Sequence, residues 1–97
     1  MTKSASALVS TGNGSRYLQQ LCKHWSHRLN VNFDAIHGEI SFPNGASAVM
    51  DAEVDGIRIY VHAPDLELLA RTQDIIQVHL DRFAFREAPL LFSWQAG

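Results

Sequence analysis

Cysteine is almost absent from this chain, and long apolar runs are missing altogether. The single cysteine, Cys22, excludes an internal disulfide and suits a reducing compartment. No stretch approaches the roughly 18 apolar residues that a membrane span requires. Residues 1–9 hold one basic residue and only a brief apolar run, which is not the make-up of a signal peptide. Charge of one sign is also lacking. A formal net charge of −2 gives no field to hold nucleic acid or an anionic membrane. No repeat, linker or low-complexity segment interrupts the chain. These absences predict a soluble, cytoplasmic protein without nucleic-acid or membrane partners.

What is present is an ordinary globular composition, 46% hydrophobic over 97 residues. That length makes one domain, residues 1–97, with a single core. The strongest pattern runs over residues 65–87. At 100° per residue, Leu66, Leu69, Ile76, Leu80 and Phe83 share one side, with Leu68, Thr72 and Ile75 at its edge. Glu67, Arg71, Asp74, Asp81 and Arg82 share the other. His79 projects within the apolar arc beside Phe83. Pro64-Asp65 supplies the stop and the cap, and Pro89 follows the end.

A second helix is expected over residues 16–29, started by Asn13 or Ser15. Tyr17, Leu18, Leu21, Cys22, Trp25 and Leu29 form its apolar face. Arg16, Lys23 and His27 lie opposite as a positive stripe, the usual sign of a solvated face. No acidic residue falls in this helix, and His24 stands at the border.

The remaining segments alternate as strands do. Residues 3–11 place Ala5, Ala7 and Val9 on one face. Residues 31–35, 39–42 and 46–52 follow, with Gly38 as a turn and Pro43-Asn44-Gly45 as a type I′ hairpin. Asp55-Gly56 reads as a second turn of that kind. Ile57, Ile59 and Val61 then alternate with Arg58, Tyr60 and His62, and residues 90–94 read as a last strand. The predicted fold is α+β: a two-layer sandwich, mostly antiparallel, with two helices on one face. The order is β-α-β-β-β-β-α-β, an arrangement of the TATA-binding-protein-like type.

Three stretches carry a resemblance: Arg16-Tyr17-Leu18-Gln19-Gln20-Leu21-Cys22-Lys23-His24-Trp25, Gly38-Glu39-Ile40-Ser41-Phe42-Pro43-Asn44-Gly45 and His79-Leu80-Asp81-Arg82-Phe83-Ala84-Phe85-Arg86-Glu87. Through them the chain resembles, over nearly its whole length, a family of small bacterial domains of unknown function. Some members of that family are joined to siderophore-interacting flavoproteins of the ferric-reductase type. The resemblance implies iron metabolism as a context and a protein partner in siderophore handling. It implies no reaction, because this chain has no glycine-rich nucleotide loop and no room for a flavin domain. No cofactor is expected.

The motif residues Arg16, Tyr17, His24, His79, Arg82, Phe83, Phe85 and Arg86 are the candidate ligand-binding set. Arg82 and Arg86 complement the dipole at the end of the long helix, and Arg86 with Phe83 and Phe85 can also build an anion clamp. His24 and His27, three apart, could approach one metal ion, but two ligands do not close a zinc site. Cys22 points about 160° away from His24 and cannot join them. With antiparallel helices, His24 and His79 are expected roughly 10 Å apart along the axis. His79 reads as a core histidine bonded to a backbone carbonyl or to Tyr17. Cys22 reads as a core residue, not a catalytic thiol.

Three functions fit this set. The first is a non-enzymatic binding or accessory module. The second is a small enzyme using His79 or His24 in a pocket at the helix–sheet edge. The third is a structural domain that forms a homodimer through Arg58, Tyr60 and His62, with Ser41, on the sheet's open face.

Overall fold

The computed structural model describes residues 2–97. The elements are β1 (Lys3–Ser10), α1 (Gly14–Trp25), β2 (Asn30–Phe33), β3 (His37–Ser41), β4 (Ser47–Glu53), β5 (Gly56–Ala63), α2 (Leu66–Phe83) and β6 (Gln95–Ala96). They build the α+β sandwich that the alternation predicted. The six strands form one sheet in the order β2-β3-β4-β5-β1-β6, and every neighbouring pair is antiparallel. The strand β1 leaves the hairpin order and inserts between β5 and β6, pairing from Lys3↔Ala63 to Ser10↔Gly56.

The period-two pattern decides the faces. Ala5, Ala7, Val9, Ile40, Ala48, Met50, Ile57, Ile59 and Val61 are buried under the helices. The helix α1 covers β2, β3 and β4, while α2 covers β5 and β1. Into this layer α1 presents Tyr17, Leu18, Leu21, Cys22 and Trp25, and α2 presents Leu69, Thr72, Ile76 and Leu80. Leu66, expected on the buried stripe, is 67% exposed. It lies at the first position of α2, and the buried stripe begins three residues later.

Several boundaries differ from the sequence reading. The helix α2 begins as expected, with the Asp65 carboxylate accepting from the Leu68 N–H at 2.8 Å, but ends at Phe83. Residues 84–87 turn away, held by Ala84 N–H to Leu80 O and Glu87 N–H to Ala84 O. The helix α1 stops at Trp25 rather than Leu29. Asn13 stands at its N-cap position without a side-chain capping bond, and its Nδ2 donates to Glu87 instead.

Gly38 is not a turn. It lies inside β3 under Cys22, where a β-carbon would come 2.8 Å from Cys22 Sγ. The turn falls at residues 34–36 instead, where the Asp34 carboxylate accepts from Ile36 N–H (2.9 Å) and His37 N–H (2.8 Å).

The hairpin turns are not of type I′ either, because no non-glycine residue among those described has a positive φ. Phe42 O accepts from Gly45 N–H, which makes Pro43 and Asn44 the central pair, and Gly45 follows at φ 92°. Proline's fixed negative φ suits the first central position of a type I turn, so the turn shifts by one residue. In the second hairpin Glu53 pairs with Gly56, leaving Val54 and Asp55 at the tip.

The last strand is also displaced. Residues 90–94 form no ladder. Leu90 N–H donates to Asp81 Oδ1 (2.9 Å) and Trp94 Nε1 to Gln77 Oε1 (3.2 Å), so this segment runs back along α2. Its alternation is real, but Leu90, Phe92 and Trp94 turn inward while Leu91 is exposed. Gln95 and Ala96 pair with β1, and Gly97 N–H donates to Ser4 O at 2.9 Å.

Candidate functional site

The two helices run past each other in opposite senses. Tyr17, in the first turn of α1, meets Glu87 beyond the end of α2, and its hydroxyl donates to the Glu87 carboxylate. Thr11 Oγ1 lies 2.9 and 3.0 Å from the two oxygens of that carboxylate, and Asn13 Nδ2 donates to it at 3.1 Å. This four-residue knot ties the β1–α1 connection to the turn after α2. It holds the Glu87 carboxyl below its usual range, chiefly through the Tyr17 bond, and pushes the Tyr17 hydroxyl up for the same reason.

The knot fixes what lies beside it. Arg16, Tyr17 and Gln20 from α1 face Phe83, Phe85 and Arg86 across a hollow of about 230 Å³. Arg86 reaches over the Phe85 ring, its Cζ 5.7 Å from the centroid. Neither Arg16 nor Arg86 forms a salt bridge among the described residues. The nearby Glu87 carboxylate takes its hydrogen bonds from neutral donors and stays ionised, and no salt bridge ties it to either guanidinium among the described residues. Arg16 has no helix-dipole rationale, since a cation in a first turn sits at the positive end. Arg82 is exposed in the last turn of α2 and does not line this hollow, so the dipole account suffices for it.

The expectation that His24 and His79 stand about 10 Å apart is overturned. Their ring centroids are 5.7 Å apart. The contact agrees with the Tyr17–Glu87 tie: seven residues onward in α1 meets eight residues back in α2. His24 also packs edge-on to Phe83 (5.8 Å), and His79 lies 5.1 Å from Trp25. His79 is half-buried rather than in the core, and its Nδ1–H donates to Ile75 O at 2.7 Å. Tyr17, the other expected partner, is committed to Glu87. His24, Trp25, His27, Arg28 and His79 line a second hollow of about 370 Å³. Lys23, read with Arg16 and His27 as one stripe, lines neither hollow. Among the described residues no group of three or more His, Cys, Asp or Glu side chains is placed to hold a metal ion. No carboxylate among them bonds to His24 or His79.

Cys22 is fully buried, and burial pushes its thiol up to about 11. A larger hollow, about 440 Å³, lies toward the other end of α2 between Ala5, Leu69 and Trp94. It gathers no opposed charged groups and includes none of the motif residues.

On the uncovered sheet face, Arg58, Tyr60 and His62 point outward together as the alternation requires. Arg58 Nε donates to Glu53 at 3.0 Å, so this arginine already has a partner within the chain. The sequence reading missed the most strongly charged cluster of this face. His37 Nδ1 lies 2.6 Å from Asp51 Oδ1, and its Nε2 lies 2.9 Å from Glu39 Oε2. The Asp51 contact, then the Glu39 contact, raises His37 to about 8. The spacing of His37 and Glu39, two apart in one strand, was a usable signal. Asp51 joins them only through the β3–β4 register.

None of the helices is long and apolar enough among the described residues to cross a membrane. No curated protein matches the chain. Among solved structures, the NMR structure of PA4090 from Pseudomonas aeruginosa is similar, with a TM-score of 0.78 and 32% sequence identity. The match covers 98% of this chain and 96% of that one. The model of one protein family matches residues 6–95. The same α+β sandwich and this near-complete span place the chain in that family, whose description is "Uncharacterized protein conserved in bacteria (DUF2218)".

Proposed function

We propose that this protein is a small non-enzymatic binding module that takes an anionic ligand where the start of α1 meets the end of α2. One observation carries this reading. Arg16 and Arg86 converge on one hollow with aromatic walls, while the neighbouring Glu87 carboxylate is taken up by Tyr17, Thr11 and Asn13. Planar guanidinium groups beside aromatic rings suit a carboxylate or phosphate carried on an apolar or aromatic body. The resemblance to domains joined to siderophore-interacting flavoproteins adds iron handling as the setting, with this domain as an accessory to a separate reductase. An enzymatic role for His24 or His79 has less support, because neither has a carboxylate to orient it.

The test is titration of the ¹⁵N-labelled protein with benzoate, followed by calorimetry. Shifts should concentrate at residues 16–20 and 83–87. Arg16→Ala and Arg86→Ala should each weaken binding about tenfold, the equivalent of 1.4 kcal/mol. Shifts confined to the His37 region, or none, would sink the reading.

The uncovered sheet face favours a second reading, a symmetric homodimer. Tyr60, 38% exposed, and Leu8, 44% exposed, lie on adjacent strands of that face, with Arg58 paired directly opposite Leu8. This face would bury aromatic and aliphatic area on self-association.

A further inference from the structure

The two hollows between the helices lie along one seam. Arg16, Gln20 and His24 follow at intervals of four and form a single ridge of α1. His79 and Phe83, also four apart, form the facing ridge of α2. Phe83 links the two hollows: it lines the one with Arg16 and Arg86, and its ring lies T-shaped, 5.8 Å from that of His24, which lines the other.

Both ends of the seam are cationic. Arg28 lines the far hollow beside His24, His27 and His79, and like Arg16 and Arg86 it has no salt bridge among the described residues. No acidic residue occurs between Gly14 and Phe33, although the whole chain is net negative. His79 gives its Nδ1–H to Ile75 O, so its neutral ring presents an acceptor at Nε2 and donates there to an anion only as imidazolium. From Arg16 to His24 the helix rises about 12 Å.

From this geometry we infer that the seam is one extended site for an elongated ligand with an anionic group at each end and an aromatic or apolar middle. One anion sits on Arg16 and Arg86. The other sits on Arg28 beside His24, and the middle lies against Phe83. This inference rests on the anion-binding reading of the Arg16 hollow and extends it to a second anchor.

Two probes separate the two claims: benzoate, with one carboxylate on a ring, and biphenyl-4,4′-dicarboxylate, with one at each end of a rigid rod. Calorimetry should find the dicarboxylate bound at least tenfold more tightly. Its amide shifts should extend from residues 16–20 to residues 24–28 and 79. The double variant His24→Ala, Arg28→Ala alters two exposed side chains, and circular dichroism checks that its fold is kept. It should abolish the dicarboxylate's advantage over benzoate. A dicarboxylate that binds no better than benzoate, or an advantage that survives in the double variant, overturns the extended site and leaves the Arg16 hollow standing. Failure of both probes to bind overturns both claims.

Discussion

The Tyr17 hydroxyl and the Glu87 carboxylate are hydrogen-bonded across 70 positions of sequence. That bond marks the offset of the two helices at which the candidate site comes together. Tyr17→Phe should therefore cost about 1 kcal/mol, the net value of one hydrogen bond, in urea unfolding. It should also weaken benzoate binding, because Arg86 is the residue before Glu87. Unchanged unfolding and binding would show that Thr11 and Asn13 hold the turn without Tyr17.

The same carboxylate gives an acid dependence. Glu87 is depressed below its ordinary 4.5 in the folded protein. Its contribution is present above that value and is lost as pH falls through the lower folded value. Unfolding midpoints between pH 6 and pH 3 should fall less steeply for Glu87→Gln than for the wild type.

His37 works in the opposite direction. Its folded value of about 8 exceeds the ordinary 6.5, so its contribution is complete below 6.5 and is lost as pH rises through 8. The partners are well exposed, which screens the interaction to about 0.5 kcal/mol, or 2–4 °C in melting temperature. Asp51→Asn should bring the NMR titration of the His37 ring back toward 6.5. A ring that titrates near 6.5 in the wild type would remove this cluster from the account.

Gly38 and Cys22 should behave as a coupled pair. A β-carbon on Gly38 would meet Cys22 Sγ at 2.8 Å in a buried layer. Gly38→Ala should then destabilise by about 1–3 kcal/mol through overpacking. Adding Cys22→Ala opens the space, so the double variant should lose less than the sum of the single losses. Simple additivity in denaturant titrations would mean that the strand shifts instead.

The homodimer reading is tested by sedimentation. Arg58→Glu with Tyr60→Ala should lower the sedimenting mass with the circular dichroism unchanged. A wild-type protein that remains monomeric at high concentration leaves that face to solvent or to a different protein.

The linear pattern alone determined the architecture. Alternation in β1 and β5 and the 3.6-residue stripes of the helices are local properties, and burying those stripes leaves only one face of an antiparallel sheet available. It also placed Cys22 in the core and Arg58, Tyr60 and His62 together on the outer face. What it could not carry was anything set by register between distant segments. The insertion of β1 between β5 and β6, the meeting of His24 with His79, the addition of Asp51 to His37 and Glu39, and the closing of the Thr11–Asn13–Tyr17–Glu87 knot each depend on an offset between elements far apart in the chain. The apolar stripes say that the helices pack, but a stripe looks much the same one turn further along. The offset depends on how the buried side chains interlock and on contacts such as Tyr17 to Glu87, whose partners carry no mark in the sequence of where they will meet.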